Sequence, residues 1–223
     1  DRLILTTGAH PHVPPLPGID LNGVFSLHTA ADTDGLLDRL TPAIPCVCVG
    51  GGVLGIETAA ALARRGAAVT LIEGQDWLMP LQLNAAAAAH LESHLNGLGV
   101  TVIKQAFPQA LEGGTALEAV RLFDGRRLPA RLAVLATGVR PNTALARQAG
   151  LAVNTGVRVD SALATSADGV YAAGDAAEFN GQLYGTWAAA QTQGTIAGRN
   201  AVGDDVHFGE FSCSNTIKAV GLD

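Results

Sequence analysis

Short apolar runs bounded by glycine, proline or acidic residues alternate along the chain with longer stretches in which alanine and leucine recur at helical spacing. Residues 2–7 read as a buried strand, followed by Gly8 and an irregular proline-rich loop over 10–18. A short helix over 32–40, with Asp32 or Thr33 as its cap, precedes a break at 41–45 that holds Pro42 and Pro45. From Cys46 the order is strand, helix over 53–65, strand over 68–73, loop, helix over 84–98 and strand over 100–104. That is a βαβαβ unit, which implies a parallel sheet. Between 107 and 128, apolar runs separated by Gly113-Gly114 and Asp124-Gly125 predict an antiparallel hairpin or meander. A strand over 132–136, a short helix over 143–149, a strand over 170–172 and a helix over 187–202 complete the order. One phrase, an apolar strand end followed by Thr-Gly, occurs twice, at Leu5-Thr6-Thr7-Gly8 and at Leu135-Ala136-Thr137-Gly138.

The βαβαβ unit opens on Gly50-Gly51-Gly52-Val53-Leu54-Gly55, which fits G-x-G-x-x-G between an apolar strand and an alanine-rich helix. In such a turn Gly50 permits the reversal, Gly52 lets a pyrophosphate approach the backbone, and Gly55 allows the helix to lie close to the strand. The free N–H groups of the helix start, those of Val53 and Leu54 among them, and the positive end of the helix dipole favour phosphate. Glu73 ends the second strand, where a carboxylate can accept hydrogen bonds from both adenosine ribose hydroxyls. No Arg or Lys follows in Gly74-Gln75-Asp76, so a 2′-phosphate would meet Glu73 and Asp76 without compensation, and NAD(H) is expected rather than NADP(H). The bland alternative is a structural glycine turn with Glu73 as a mere strand end.

A second segment, Tyr171-Ala172-Ala173-Gly174-Asp175, is a strand ending in Gly-Asp. Together with the glycine turn and the two Thr-Gly strand ends, it makes the chain resemble the flavin-dependent pyridine nucleotide-disulfide oxidoreductase family over nearly its whole length. Within that family the phrases over 76–84 and 214–223 look most like the branch of nitrite-reductase large subunits and rubredoxin reductases. The resemblance implies an α/β fold in which a three-layer, Rossmann-like NAD-binding domain is inserted into an FAD-binding domain. The expected division is 1–42 for one FAD-domain segment, 43–128 for the NAD-binding domain, 129–207 for the returning FAD-domain segment, and 208–223 for the start of a third, interface domain. On this reading the first FAD motif precedes Asp1, and the chain is a piece of something longer.

The resemblance also implies roles. Thr7, Gly8, Thr137 and Gly138 would be small because backbone passes beside the cofactors; Asp175 would hydrogen-bond the ribityl chain of FAD, with a backbone contact from Gly174. Trp187 and Ala188 would begin the last FAD-domain helix, whose N-terminus faces the flavin pyrimidine and stabilises negative charge there. Glu57 would approach the flavin N5 region and pair with a lysine from a segment before Asp1. Three of these positions carry ordinary alternatives: a Gly-Asp strand end is also a common turn, a first-turn glutamate is favoured by the helix dipole alone, and a lone tryptophan such as Trp187 is more often core or interface packing.

Net charge −6 in 223 residues argues against nucleic acid or an anionic membrane surface as partner. No run of about 18 apolar residues exists, and three cysteines make no disulfide framework, so a cytoplasmic location is expected. Cys46 and Cys48 point to one face of a strand beside glycine and valine, a setting for packing and not for a thiolate. His90 and His94 share a helical face, but no third ligand suggests itself, and no metal site is expected. Arg64 and Arg65 suit the C-terminal dipole of their helix, while His10, His12, His28 and His207 fall in loops without an evident partner. The function implied is hydride transfer from NADH to FAD and on to an electron acceptor, either a small molecule or a small redox protein, in a protein able to form a homodimer. The alternative is an NAD(H)-binding or redox-sensing module without flavin.

Overall fold

The computed structural model describes residues 1–209 and 220–221. Its strands are β1 (Leu3–Leu5), β2 (Ala9–Pro11), β3 (Val24–Ser26), β4 (Pro45–Val49), β5 (Ala68–Ile72), β6 (Thr101–Ile103), β7 (Pro108–Gly113), β8 (Leu117–Leu122), β9 (Arg127–Pro129), β10 (Leu132–Leu135), β11 (Val139–Pro141), β12 (Val157–Val159), β13 (Val170–Ala172) and β14 (Ala177–Phe179). The helices are α1 (Ala30–Leu37), α2 (Val53–Arg64), α3 (Ala85–Gly97), α4 (Ala144–Gln148) and α5 (Trp187–Ala201), with one 3-10 turn at Gly174–Ala176. Two compact units result, one of residues 1–10 with 139–216 and one of 11–138 with 217–223.

The unit of 11–138 is built on a five-stranded parallel sheet in the order β3-β10-β4-β5-β6. Its central strands are buried on both faces. Cys46 and Cys48 of β4, with Leu132 and Val134 of β10, join the core under α2 and α3, whereas Val47, Val49, Ala133 and Leu135 join a second core with the antiparallel meander β7-β8-β9. Alternation with a period of two, apolar at both phases, is what a doubly covered parallel sheet requires, and the α/β three-layer architecture follows from it. The Cys48 thiol is pushed well above its ordinary pKa by the hydrogen bond its S–H makes to Cys46 and by burial. Cys48 is therefore held as the neutral thiol.

Three local features differ from the expected elements. Strand β3, a three-residue run after the left-handed Gly23, is too short to show a period, yet it pairs in parallel with β10. Strand β10, placed by the sequence with the returning flavin-side segment, lies hydrogen-bonded between β3 and β4. The first helix begins earlier and is capped by Thr29, whose hydroxyl accepts the Asp32 N–H at 3.2 Å while Asp32 accepts the Thr29 N–H at 2.7 Å. This reciprocal box makes Asp32 the third helical residue and not the cap, and its carboxyl sits below the usual range because it accepts from the Thr29 N–H and hydroxyl and the His28 N–H.

In the unit of 1–10 with 139–216, β1 and β13 form a parallel pair in the register Leu5↔Ala172, and β12 pairs in parallel with β14. Helix α5 supplies Ile196 and Ala197 to a core that includes Leu163, Ala173, Phe179 and Phe208. A buried carboxylate, Glu178 on β14, accepts from the Gly156 N–H at 2.7 Å and the Asn154 amide at 2.9 Å. Burial alone would raise its pKa; those two donors, with the Thr155 N–H and the Arg158 charge, outweigh burial and hold it below the ordinary glutamate value.

Candidate functional site

The glycine turn joins β4 to α2. Gly50 leaves the strand at φ +109°, with its N–H on the Ile72 carbonyl at 2.9 Å, and a Cβ built there would strike the carbonyl oxygen of Ala136. A Cβ on Gly55 would fall on the carbonyl oxygen of Gly50, so the helix can lie this close to the strand end only with hydrogen at position 55. Gly52 is the N-cap, with an ordinary φ of −78°, no side-chain cap, and open space where its Cβ would point. The first intrahelical bond is from the Ile56 N–H to the Gly52 carbonyl at 3.0 Å. The N–H groups of Val53, Leu54 and Gly55 therefore lack intrahelical acceptors, the arrangement that favours an anion.

Glu73 follows β5 beside this turn. One carboxylate oxygen accepts the Gly51 N–H at 2.6 Å and the other the Gln75 N–H at 2.8 Å, so the side chain is fixed by backbone, with lone pairs remaining on both oxygens. The loop 76–83 covers the turn from outside: the Met79 N–H reaches the Gly51 carbonyl at 3.0 Å, and the Trp77 indole N–H reaches the Leu83 carbonyl at 2.9 Å. A cavity of about 560 Å3 opens across the carboxyl ends of β10, β4, β5 and β6, with Gly50, Gly52, Glu73, Thr137 and Gly138 in its wall. Gly55 is buried behind it, Leu54 is half-exposed beside it, and Glu57 is exposed on α2 with no ion pair among the described residues.

The Thr-Gly strand ends are tied down differently in each unit. The Thr137 hydroxyl donates to the His12 carbonyl at 2.6 Å, and the His12 N–H donates to Gly138, whose φ is +92°. The Thr7 hydroxyl donates to the Asn142 carbonyl at 2.7 Å; Asn142 returns its amide to the Thr7 carbonyl and its N–H to Gly8, and His10 Nδ1 lies 2.6 Å from Asn142 Oδ1. Several histidines without an evident partner in the sequence thus have one. His207 lies 3.0 Å from the Ser161 hydroxyl, and the His28 N–H donates to Asp32. His94 and Arg64 both reach the Val220 carbonyl, at 3.2 and 2.8 Å. Arg65 reaches the Ala61 carbonyl at the end of α2.

Because β1 and β13 run parallel in register, Thr7-Gly8 and Gly174-Asp175 emerge at the same end of the pair. Gly174, at φ +78°, donates its N–H to Gln193 Oε1 at 2.8 Å. Gln193 is only 1% exposed, and its Nε2 has no partner among the described residues. Asp175 is half-buried on the same turn, with its carboxylate outside every hydrogen bond and ion pair among the described residues. An orphaned donor beside a spare carboxylate suits a polyhydroxyl or diphosphate ligand that can both accept and donate. The residues present fit the flavin side in this respect, as the Gly50–Gly55 cradle fits the dinucleotide. Trp187, 80% exposed, and Ala188, also exposed, begin α5, where the Thr186 hydroxyl caps the Ala189 N–H. Sequence reasoning missed Gln193 and Glu178: each is a lone polar residue whose role depends on a loop about 20 positions away. The phrase 214–219 lies outside the described residues.

A family model described as pyridine nucleotide-disulphide oxidoreductase matches residues 1–194. The chain belongs to this family. It is 34% identical over its whole length to an assimilatory nitrate reductase electron transfer subunit of Bacillus subtilis, of which it spans 29%. Over 92% of its length it is 36% identical to a nitric oxide reductase FlRd-NAD(+) reductase of Shigella sonnei, spanning 54% of that protein. Its fold is similar to that of an FAD-dependent pyridine nucleotide-disulphide oxidoreductase from Desulfovibrio vulgaris, with a TM-score of 0.82 and 30% identity over 93% of this chain and 55% of that one. The chain thus spans between about a quarter and about half of the curated relatives it matches. Among the described residues no helix is long and apolar enough to cross a membrane.

Proposed function

We propose that this chain carries the nicotinamide-nucleotide site, and part of the flavin site, of a cytoplasmic NADH-dependent flavoprotein reductase. The observation that carries the reading is the glycine turn at the strand ends, closed by backbone at Gly50 and Gly55 yet open at Gly52, with a fixed Glu73 carboxylate beside it. The N–H groups of Val53, Leu54 and Gly55 hold the pyrophosphate, and Glu73 accepts from the adenosine ribose hydroxyls. Asp76, held by the Gln105 amide at 2.6 Å, adds a second negative charge close to that ribose, which opposes a 2′-phosphate and favours NADH.

On the flavin side, Asp175 binds the ribityl hydroxyls and Gly174 gives backbone, while Thr7, Gly8, Thr137 and Gly138 keep the strand ends narrow. Glu57 matches the position that in the family approaches the flavin N5 region, and Trp187 and Ala188 begin the helix whose dipole would favour negative charge on the ring. When bound, nicotinamide and flavin supply the hydride chemistry themselves, and the protein aligns them and excludes competing reactions. The names of the nitrate and nitric oxide reductase relatives favour a small molecule or a small redox protein as the electron acceptor of the whole protein, which would work as a homodimer.

The test is the visible spectrum and released-flavin content of the purified protein, before and after NADH. Bound FAD that bleaches with NADH supports the reductase. NADH binding without flavin leaves a nucleotide-binding module and passes hydride transfer out of this chain, and absence of NADH binding overturns the reading entirely.

A further inference from the structure

Residues 220–221 lie far along the chain from the helices they touch. Val220 is 6% exposed and belongs to the core under α2 and α3, every other buried member of which falls between Leu36 and Val134. Its carbonyl accepts from Arg64 Nη2 at 2.8 Å and from His94 Nε2 at 3.2 Å, one donor for each lone pair of the oxygen. Arg64 stands in the last turn of α2 and His94 in the last turn of α3. Among the described residues neither side chain makes another hydrogen bond or an ion pair.

The backbone here is held against its preference. Val220 has φ +54° and Gly221 φ +86°. Two successive left-handed residues reverse the chain, and a β-branched side chain in that region is costly, so it persists only where its surroundings over-determine it. Here they do: the core takes the valine side chain, and the two helix ends take the carbonyl. The chain passes between the two units three times, after His10, after Gly138 and after Thr216. The third passage leads to no strand or helix among the described residues, so among them this turn alone fastens it.

We infer that the C-terminal ends of α2 and α3 form a socket for a left-handed Val-Gly turn, and that Val220-Gly221 is the plug by which the chain after the 139–216 segment is fastened to the unit of 11–138. The occupant is this chain's own turn. Its side chain supplies burial and its carbonyl supplies direction, so one residue pins both helix ends. The inference does not rest on the NADH reading. The socket lies at the far end of α2 from Gly50–Gly55, about 18 Å along a helix of 12 residues. The unit of 11–138 is then incomplete at residue 138, and its α2–α3 side is closed by a residue that arrives after the other unit has been built.

Amide hydrogen exchange on the full chain tests this. Val220→Asp sets a charge against the apolar core and should release the plug, so exchange in the last turns of α2 and α3 quickens by at least about tenfold while the β4 and β5 amides keep their protection. Val220→Ala, a milder change should the charged variant fail to fold, is expected to quicken the same amides by a smaller factor. Arg64→Ala should quicken them too but add nothing in the Val220→Asp background, since both act through one contact. Last-turn exchange equal to wild type in both Val220 variants overturns the plug. So does an Arg64→Ala effect that persists undiminished beside Val220→Asp, which would give Arg64 a role apart from the turn. Lost protection at β4 and β5 in both Val220 variants overturns it as well, because it reports general unfolding and not the release of a turn. If wild type sediments as a dimer and Val220→Asp as a monomer, the turn in the socket belongs to a second copy, and fastening within one chain is overturned.

Discussion

The turn after β4 and the turn after β13 solve the same problem by different means. Each ends a parallel strand with a left-handed glycine, Gly50 at φ +109° and Gly174 at φ +78°. The first is closed by main chain, through the contacts of Gly50 and Gly55 with carbonyl oxygens, with Glu73, among the described residues, the only side chain holding an N–H of the turn. The second hangs on the side chain of Gln193, from a helix 19 residues further on, which gives its oxygen to the Gly174 N–H and keeps a buried amide in reserve. A turn closed by backbone tolerates no added atom but needs little help. A turn held by one amide leaves space around its glycine, although the left-handed φ of Gly174 still favours glycine, and it fails when that amide is lost. Around Gly174 the nearest atom to a built Cβ is Ala190 Cβ at 3.8 Å, an ordinary contact.

The sharpest way to break the contrast is at Gly55. Gly55→Ala drives its methyl into the Gly50 carbonyl, and because both atoms belong to fixed elements, α2 must move away from β4. The expected cost is about 3 kcal/mol, at the upper end of overpacking substitutions, and NADH binding is lost as well. Chemical denaturation and NADH titration of the same sample check both. Next in size is Gln193→Leu, which keeps the volume and leaves the Gly174 N–H buried without an acceptor, a loss of about 2 kcal/mol. Flavin content should fall with it. A Gln193→Leu protein as stable as wild type and fully loaded with flavin would show that the amide holds nothing, and the two turns would then be alike.

The same contrast explains what the sequence made legible. Residues 50–55 could be read because the constraint lies in the backbone: only glycine fits, so the need appears as a local spacing. That β4, β5 and β6 belong to a parallel sheet was equally visible, from the alternation of strand and helix. Gln193 could not be read, since a glutamine inside an alanine-rich helix looks like a solvated position until the fold brings Gly174 to it. Glu178 hid for the same reason. Strand β3 escaped because three residues carry no period, and β10 was set with its sequence neighbours although its hydrogen bonds go to β3 and β4.

Glu178 gives a smaller effect with a pH signature. Its folded carboxyl titrates below the unfolded value, so on acidification the unfolded chain takes up the proton first. The stability it contributes is complete above the ordinary glutamate value and declines as the pH falls through that value toward the folded one, below which it is gone. Glu178→Gln should therefore be less stable than wild type at neutral pH and should lose less on acidification, with the two curves converging in acid. The offset at neutral pH is about 1 kcal/mol, a carboxylate that accepts on both oxygens exchanged for an amide with one acceptor oxygen. Parallel curves across the acid range would mean that the Gly156 and Asn154 donors do not depend on its charge.

The smallest effect on stability is expected where the comparison is most informative. Gly52 has an ordinary φ of −78°, and a Cβ there meets nothing within 4 Å. Gly52→Ala should therefore cost no more than about 0.5–1 kcal/mol, the preference of an N-cap for glycine over alanine, whereas the same methyl at Gly55 unseats the helix. Its effect falls on the ligand, because the open space beside Gly52 is where a pyrophosphate meets the helix start, and a methyl there should weaken NADH at least tenfold. Melting temperature and NADH affinity measured on Gly52→Ala and Gly55→Ala side by side separate a glycine kept for the cofactor from a glycine kept for the fold. If Gly52→Ala binds NADH like wild type, the phosphates lie elsewhere, and the open N-cap of α2 is an accident of packing.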